Sequence, residues 1–328
     1  MSNFYLNRRA LLGLALTSAL PANVVWAAGQ PLPVVASFSI LQDLTRQVGG
    51  DRVSVSALVG PDGDAHVFEP TPQQARQLQQ AKVLVANGLD FEGWLPRLKK
   101  AAGFQGQEIV ASQGIAVRSL PKGQGHDHGH DHSAGKEGHD HDHGHGHAHH
   151  HGPNDPHAWQ DVKNAIAYVR NIAKGLATAD PANAAQYDQQ ATQYIARLTA
   201  LDASLSQRFA ALPADRRSVV STHDAFGYFA QAYGLRFVPV RGLSTESEPS
   251  ARDLAALIKQ VREERIGAIF VENISDPRLL EQLARETGAA IGGRLYSDAL
   301  SPAGGPASTY IDMVETNAAT LLKALQAG

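Results

Sequence analysis

Three of the 15 histidines in this 328-residue sequence stand apart from the rest. They are His66, His157 and His223, whereas the others all fall between residues 126 and 151. A lone histidine is more often structural, but imidazole is the commonest metal ligand, and three imidazoles with one carboxylate complete a tetrahedral shell. Because 91 and 66 residues separate the three, they cannot form a local finger and must be brought together by the fold. We therefore interpret them as a candidate zinc site.

A carboxylate is needed as the fourth ligand, and Asp298 is the candidate. It follows a predicted strand, and ligands of parallel α/β sheets bind at the carboxyl ends of strands. An aspartate at such a place is about as often a helix cap or a turn residue. Asp224 and Glu69, close in sequence to His223 and His66, are expected to accept hydrogen bonds from the imidazoles or to be plain surface charges. Three nitrogens and one oxygen suit zinc, whereas manganese prefers oxygen-rich shells.

A histidine-rich segment, residues 125–152, interrupts the chain and contains almost no apolar side chains. No hydrophobic core can form from it, so we predict a disordered, solvated loop. Such a tether offers many weak sites of two or three imidazoles and raises the local zinc concentration. The alternative is a solvated linker that binds metal only incidentally. The predicted weak ligands are His126, His128, His130, His132, His139, His141, His143, His145, His147, His149, His150 and His151.

Strand-like and helix-like patterns alternate in both halves of the chain. This alternation predicts an α/β fold of two lobes, each with a mostly parallel β-sheet flanked by helices. Between the lobes, residues 181–212 carry apolar side chains at spacings of three, four and seven residues, which predicts one long, rigid amphipathic helix that joins them. The predicted domains are therefore an N-terminal lobe over residues 28–180, this connecting helix, and a C-terminal lobe over residues 213–328.

The N-terminus has the pattern of a secretory signal peptide, residues 1–27. The pair Arg8-Arg9 precedes an apolar run that is shorter than the roughly 20 residues needed to span a bilayer, and cleavage is expected after Ala27. Export by the general or the twin-arginine route is left open. The chain has no cysteine, which excludes disulfides, thiolate ligands and a lipid-modified N-terminal cysteine. We predict a protein that is soluble in the periplasm after cleavage.

Five stretches resemble the motifs of a known family. They are G-D-A-H-V-F-E-P, N-D-P-H-A-W-Q-D-V-K-N-A, S-T-H-D-A-F-G-Y, E-P-S and Y-S-D-A-L-S-P. They are similar to motifs of the cluster A-I, or cluster 9, substrate-binding proteins of zinc and manganese ABC transporters, in the family's order over residues 33–328. The resemblance implies two α/β lobes joined by a rigid helix, with the metal at the lobe interface. It implies His66 and His157 as ligands from the first lobe, and His223 and Asp298 as ligands from the second.

Two positions bear on the metal that the resemblance implies. Manganese-type members resemble this pattern but carry glutamate where His223 stands, so this position favours zinc. Some zinc-type relatives have a glutamate immediately before the first histidine as an alternative ligand, but Ala65 stands there in this chain. That difference favours Asp298 as the fourth ligand. Many relatives also have a disulfide in the second lobe, which this chain cannot form.

The expected function is high-affinity capture of Zn²⁺ between the lobes and delivery to an ABC permease, without enzymatic activity. The expected partners are the zinc ion and the permease, with a periplasmic zinc chaperone as a further candidate, and the protein is expected to be a monomer. Nucleic acid is disfavoured because the net charge is -3 and basic residues are not clustered. The alternatives are a zinc buffer or chaperone and a manganese-binding member of the same family. A zinc hydrolase is disfavoured because no H-E-x-x-H motif is present and Asp298 would close the shell.

Overall fold

The computed structural model describes residues 30–119, 154–243, 245–246 and 248–327. The predicted signal peptide and the predicted histidine-rich loop lie outside the described residues, and the predicted domain boundaries stay predictions. An antiparallel bridge between Ser119 and Asn154 brings together the two parts of the chain that flank the predicted histidine-rich loop. Within the described ranges, no helix is both long enough and apolar enough to cross a membrane.

Two four-stranded parallel sheets form the framework. The strands are β1 Leu32–Phe38, β2 Val53–Val59, β3 Val83–Ala86, β4 Gln107–Val110, β5 Ser218–Ser221, β6 Arg236–Pro239, β7 Ala268–Glu272 and β8 Ala290–Leu295. The strand orders are β2-β1-β3-β4 and β6-β5-β7-β8, and every neighbouring pair is parallel. In each sheet the second strand lies on one side of the first strand and the third strand lies on the other, so the strand order reverses there. Parallel α/β sheets bind ligands in the crevice at such a switch point.

Nine α-helices within the described residues flank these sheets. They are α1 Ser39–Gly49, α2 Pro72–Gln80, α3 Leu95–Ala102, α4 Val162–Ala179, α5 Ala184–Ala210, α6 Gly227–Tyr233, α7 Ala251–Glu263, α8 Arg278–Thr287 and α9 Tyr310–Ala327. The predicted fold class, two parallel α/β sheets with a long joining helix, is confirmed. The joining helix α5 has 27 residues and is therefore about 40 Å long. The first turn of the predicted helix, Pro181–Asn183, is a separate 3-10 turn.

The joining helix builds a core that both lobes share. We call the first sheet with α1 to α4 the first lobe, and the second sheet with α6 to α9 the second lobe. Helix α5 packs against α1 and α4 on one side and α6 and α9 on the other. Its buried stripe is Tyr187, Ala191, Tyr194, Leu198, Leu201, Leu205 and Phe209. One hydrophobic cluster therefore runs continuously from the first sheet into the second, while a smaller one lies under α7 and α8. A shared, close-packed core opposes wide separation of the lobes.

Helix α9 begins against the first lobe. The backbone N–H of Tyr310, its first residue, donates to Asp43 Oδ2 of α1 at 2.8 Å, and the Tyr310 hydroxyl donates to the carbonyl of Trp159 at 2.7 Å. All three residues are buried. The segment that connects β8 to α9 is therefore attached to the first lobe at its C-terminal end.

Candidate metal centre

The four predicted ligands converge at the boundary between the two sheets. One ligating atom from each of His66, His157, His223 and Asp298 lies within 4.8 Å of the others. The Nε2 atoms of His66 and His223 are each 3.1 Å from Asp298 Oδ2, and those of His66 and His157 are 3.3 Å apart. Four donors placed 2.0 to 2.1 Å from a tetrahedral zinc ion lie about 3.3 Å from one another. Three of the separations are close to this value and all four donors lie within 4.8 Å of one another, so they are near enough to share one metal ion.

His66 lies in the loop that follows β2. Its backbone N–H donates to Asp64 Oδ1 at 2.8 Å, which fixes the turn. The imidazole packs edge-on against the Phe91 ring, with 4.8 Å between centroids. The neighbouring carbonyl of Ala65 accepts from the indole N–H of Trp94 at 2.8 Å. The fixed turn and the Phe91 ring restrict the rotamers that the imidazole can adopt.

His157 is oriented by a carboxylate two residues before it. Asp155 Oδ1 accepts from the His157 backbone N–H at 3.0 Å and lies 2.9 Å from its Nδ1, while Asp155 Oδ2 accepts from Arg118 Nη1 at 2.7 Å. The facing imidazole and guanidinium outweigh burial and lower the pKa of Asp155. Because a carboxylate only accepts, Nδ1 carries the imidazole proton, which leaves the Nε2 lone pair for a metal.

His223 is oriented in the same way from the neighbouring strand. It follows β5, and Glu272 is the last residue of β7. Glu272 Oε1 accepts from the His223 backbone N–H at 3.0 Å, and Oε2 lies 2.5 Å from His223 Nδ1. The Glu272 N–H donates to Thr222 Oγ1 at 3.2 Å. A carboxylate behind the ring again directs Nε2 towards the centre.

Asp298 has one oxygen that the described residues leave without a hydrogen bond. Its side chain is fully buried, and among the described residues no donor bonds to Oδ1, whose nearest imidazole nitrogen, His157 Nε2, is 3.7 Å away. Burying a carboxylate oxygen without a donor costs free energy unless a cation compensates it. The oxygen faces the imidazole cluster, so a bound cation would satisfy it.

The charges around the cluster favour a dication. Burial acts to raise the pKa of Asp298, but the facing imidazoles of His223 and His157 outweigh it, and the pKa lies well below its usual value. Asp155 and Glu272 add two more buried carboxylates, and Arg118 neutralises one charge. With neutral imidazoles, two negative charges remain, and a divalent cation would balance them.

The imidazoles differ in their affinity for protons. Burial lowers the pKa of His66, and its contact with Asp298 offsets this only in part. Burial alone would also lower the pKa of His223, but the charges of Glu272 and Asp298 outweigh it and raise that pKa well above the usual value. Burial thus disfavours a proton on His66, whereas the two carboxylates favour one on His223.

The carboxylates that orient the imidazoles are not those expected from the sequence. Glu69 is exposed and Asp224 is half-buried, whereas Asp155 and Glu272 hold the rings. The sequence signal for Asp155 is its position two residues before a candidate ligand. For Glu272 the signal is a carboxylate that ends an otherwise apolar strand, A-I-F-V-E, although strand order is needed to place it beside β5. The twelve histidines predicted as weak ligands lie outside the described residues.

Several known proteins are similar to this chain in sequence. Residues 34–324 match the family model described as ZnuA, zinc-uptake complex component A, periplasmic. The iron-binding protein YfeA of Yersinia pestis is 29% identical over 314 residues, covering 96% of this chain and 93% of that protein. The manganese ABC transporter substrate-binding lipoprotein PsaA of Streptococcus pneumoniae is 28% identical, covering 87% and 86%.

A solved structure has the same fold. The periplasmic zinc-binding protein TroA of Treponema pallidum superposes with a TM-score of 0.78 at 28% identity, covering 90% of this chain and 99% of that chain. The family model spans most of the chain. The chain therefore belongs to the ZnuA family of periplasmic, metal-binding substrate-binding proteins of ABC transporters, which are transporter components that work with a membrane permease.

Proposed function

We propose that this protein captures Zn²⁺ between its two lobes and delivers it to an ABC permease for import. The ligands are His66, His157, His223 and Asp298. The observation that carries the proposal is the donor set, since three nitrogens and one oxygen that converge within 4.8 Å suit zinc better than manganese. Asp298 occupies the fourth position, which a catalytic zinc site would leave to water.

Manganese or iron is the alternative cargo, because the names of similar proteins include both metals. The distinction rests on His223. An imidazole there gives a nitrogen-rich shell, whereas a carboxylate at the same position would give two oxygens and favour a harder ion. Copper(II) would exceed zinc in raw affinity, so metal availability in the periplasm contributes to selection.

The setting of this function is the periplasm. The proposed mature protein is soluble after removal of residues 1–27 and acts as a monomer. Its partners are the permease and, as a further candidate, a periplasmic zinc chaperone. Residues 125–152 would gather zinc through weak imidazole sites near the main site.

The first test changes the ligands. The substitution His223→Glu should lower the zinc-to-manganese ratio bound from an equimolar mixture, because it replaces a nitrogen by an oxygen. The substitution Asp298→Asn should weaken zinc binding more than about a hundredfold, beyond the effect typical of an outer-sphere group. Equilibrium dialysis with elemental analysis measures both. Glu69→Gln, near His66 but exposed, is the matched control and should change neither. An unaltered zinc preference in His223→Glu would contradict the proposal.

The second test measures the protons that are released when zinc binds. At pH 7 zinc must displace the proton that the raised pKa of His223 retains, so binding should release about one proton. Apparent affinity should fall about tenfold for each pH unit below that pKa. Calorimetry in buffers of different protonation enthalpy measures the release. Glu272→Gln removes the larger of the two charges that raise this pKa, the other being that of Asp298, and should reduce the release. Equal release by the variant and the parent would refute this account.

The third test removes the histidine-rich segment. Deleting residues 125–152 should leave one tight zinc equivalent, because the four proposed ligands lie outside it, and should lower the total capacity. The Ser119 to Asn154 bridge brings the flanking ends together, so the shortened chain can still close. Titration against a chromophoric chelator separates tight from weak binding. Loss of the tight equivalent would show that the main site has been misassigned.

The fourth test separates import from zinc buffering. A host limited for zinc should grow only when this protein and its permease are both present, because neither moves the ion alone. Zinc-replete medium is the control and should abolish the requirement. Growth support by the protein without the permease would favour the buffer or chaperone role.

A further inference from the structure

Asp298 follows a strand of the second sheet, yet the chain around it is bonded to the first lobe. The Ser297 carbonyl accepts from Trp159 Nε1 at 2.9 Å and from Gln160 Nε2 at 2.7 Å. On the other side, the Leu300 N–H donates to Ser39 Oγ at 3.0 Å. First-lobe groups thus bond the segment on both sides of the carboxylate.

These bonds are buried. Ser39, Trp159, Gln160 and Ser297 are each at most 1% exposed. Breaking a buried hydrogen bond leaves a polar group without a partner, and the free-energy cost of that group exceeds the net stabilisation that the bond provides. The attachment of Tyr310 to Asp43 and Trp159 fixes the far end of the segment to the same lobe. Trp159 and Gln160 lie two and three residues after His157, so the same 3-10 turn that follows one ligand also holds the segment that carries Asp298.

The second lobe holds the start of the same segment. Asn317 of α9 accepts from the Tyr296 N–H at 2.8 Å and donates to the Tyr296 carbonyl at 2.7 Å. Beyond Asp298, Asn273 Nδ2 donates to the Ala299 carbonyl at 3.1 Å. The same amide donates to Asp62 Oδ1 of the first lobe at 2.8 Å, and the Asp62 N–H donates to the Leu300 carbonyl at 2.9 Å. The part of the segment after Asp298 is therefore bonded to the first lobe as well as to Asn273 of the second.

His223, by contrast, is held by its own lobe. Glu272 binds its backbone N–H and faces its Nδ1, and Ser221 Oγ donates to its carbonyl at 3.0 Å. The following residue, Asp224, donates its N–H to the Gly242 carbonyl at 3.0 Å. These three partners, Glu272, Ser221 and Gly242, belong to the second lobe, so His223 moves with that lobe.

We propose that Ser39, Trp159 and Gln160 are positioning residues that keep Asp298 with the first-lobe ligands, and that His223 is the ligand that withdraws when the ion is released. The shell then divides into a fixed unit of His66, His157 and Asp298 and a single departing ligand. This inference rests on the proposed function, since it assumes that the four residues hold the ion.

The division has a chemical consequence. Withdrawal of one imidazole opens one coordination position while three ligands still hold the ion. A ligand from the permease can take that position, so transfer can proceed by exchange of one ligand at a time. The shared core permits this, because it requires only a small displacement of the His223 segment.

The first measurement is of release rates. Gln160→Met removes one donor to Ser297 while keeping the length of the side chain, and it should speed zinc release to excess chelator about fivefold, the effect of one lost hydrogen bond. Gln77→Met removes amide hydrogen bonds to Ser56 and Ala57 in the same lobe and should leave the rate unchanged. An unchanged rate in Gln160→Met, or an equal increase in Gln77→Met, would overturn the positioning role.

The second measurement needs only the unsubstituted protein. The Leu300 amide is held by Ser39 of the first lobe, and the Arg118 amide by the Tyr228 hydroxyl of the second lobe at 2.9 Å. When zinc is removed, hydrogen exchange followed by NMR should accelerate at least about tenfold at Arg118 and less than about twofold at Leu300. Equal acceleration at both amides, or none at Arg118, would overturn the inference.

Two controls separate the possible failures. Ser39→Ala should accelerate exchange at Leu300 with and without zinc, and failure to do so would also overturn the inference. Zinc content is determined before the ion is removed. Less than one tight equivalent would contradict the proposed function itself, whereas a full equivalent with uniform exchange would contradict only the division of the shell.

Discussion

The buried carboxylate of Asp298 is the constraint on which the centre depends. An unpaired carboxylate in a dry interior is strongly unfavourable, so the surrounding groups must supply positive charge. Three imidazoles face it, and behind two of them stand the carboxylates of Asp155 and Glu272. Those carboxylates make the rings better ligands, but they also add negative charge that only a cation can balance. The cluster is therefore organised for an ion rather than for hydrogen bonding among its own members.

The fold brings this cluster together by repeating one arrangement twice. Both sheets place their first strand between the second and the third, so each offers a crevice at its switch point. His66 follows β2 of one sheet, and His223 follows β5 of the other. Helix α5 and the continuous core fix the two crevices relative to each other. The same packing that positions the ligands limits how far the lobes can part.

Much of this framework could be predicted from the sequence. Runs such as Val83–Ala86 and Ala268–Val271 are almost wholly apolar, as expected for strands that are covered on both faces, and both are buried strands. Helix α2 begins after Thr71, where a residue type common at N-caps precedes a proline, and Gln74 Oε1 accepts from the Thr71 N–H at 2.9 Å. Helix α3 and strand β4 give weaker sequence signals, since they are short and β4 alternates exposed with buried residues.

The ligand types could also be predicted, because histidine is rare outside residues 125–152. The partners of the ligands could not. Glu272 and Ser39 lie far from the ligands in sequence, and only the strand order and the path of the chain after β8 bring them close. Its position after β8 suggests that Asp298 belongs to the second lobe, whereas Ser297 and Leu300 on either side of it are bonded to the first. Long-range contacts of this kind leave no periodic signal in a sequence.

The division of the shell also bears on selectivity. If His223 is the ligand that departs, the residue that decides between a nitrogen-rich and an oxygen-rich shell is the same residue that controls release. A carboxylate at this position would lose the Nδ1 contact with Glu272 and place a second negative charge beside it. That repulsion would favour withdrawal of the side chain as well as a harder ion. Metal preference and ease of release are therefore expected to change together at position 223, while the first-lobe unit of His66, His157 and Asp298 can stay the same for either metal.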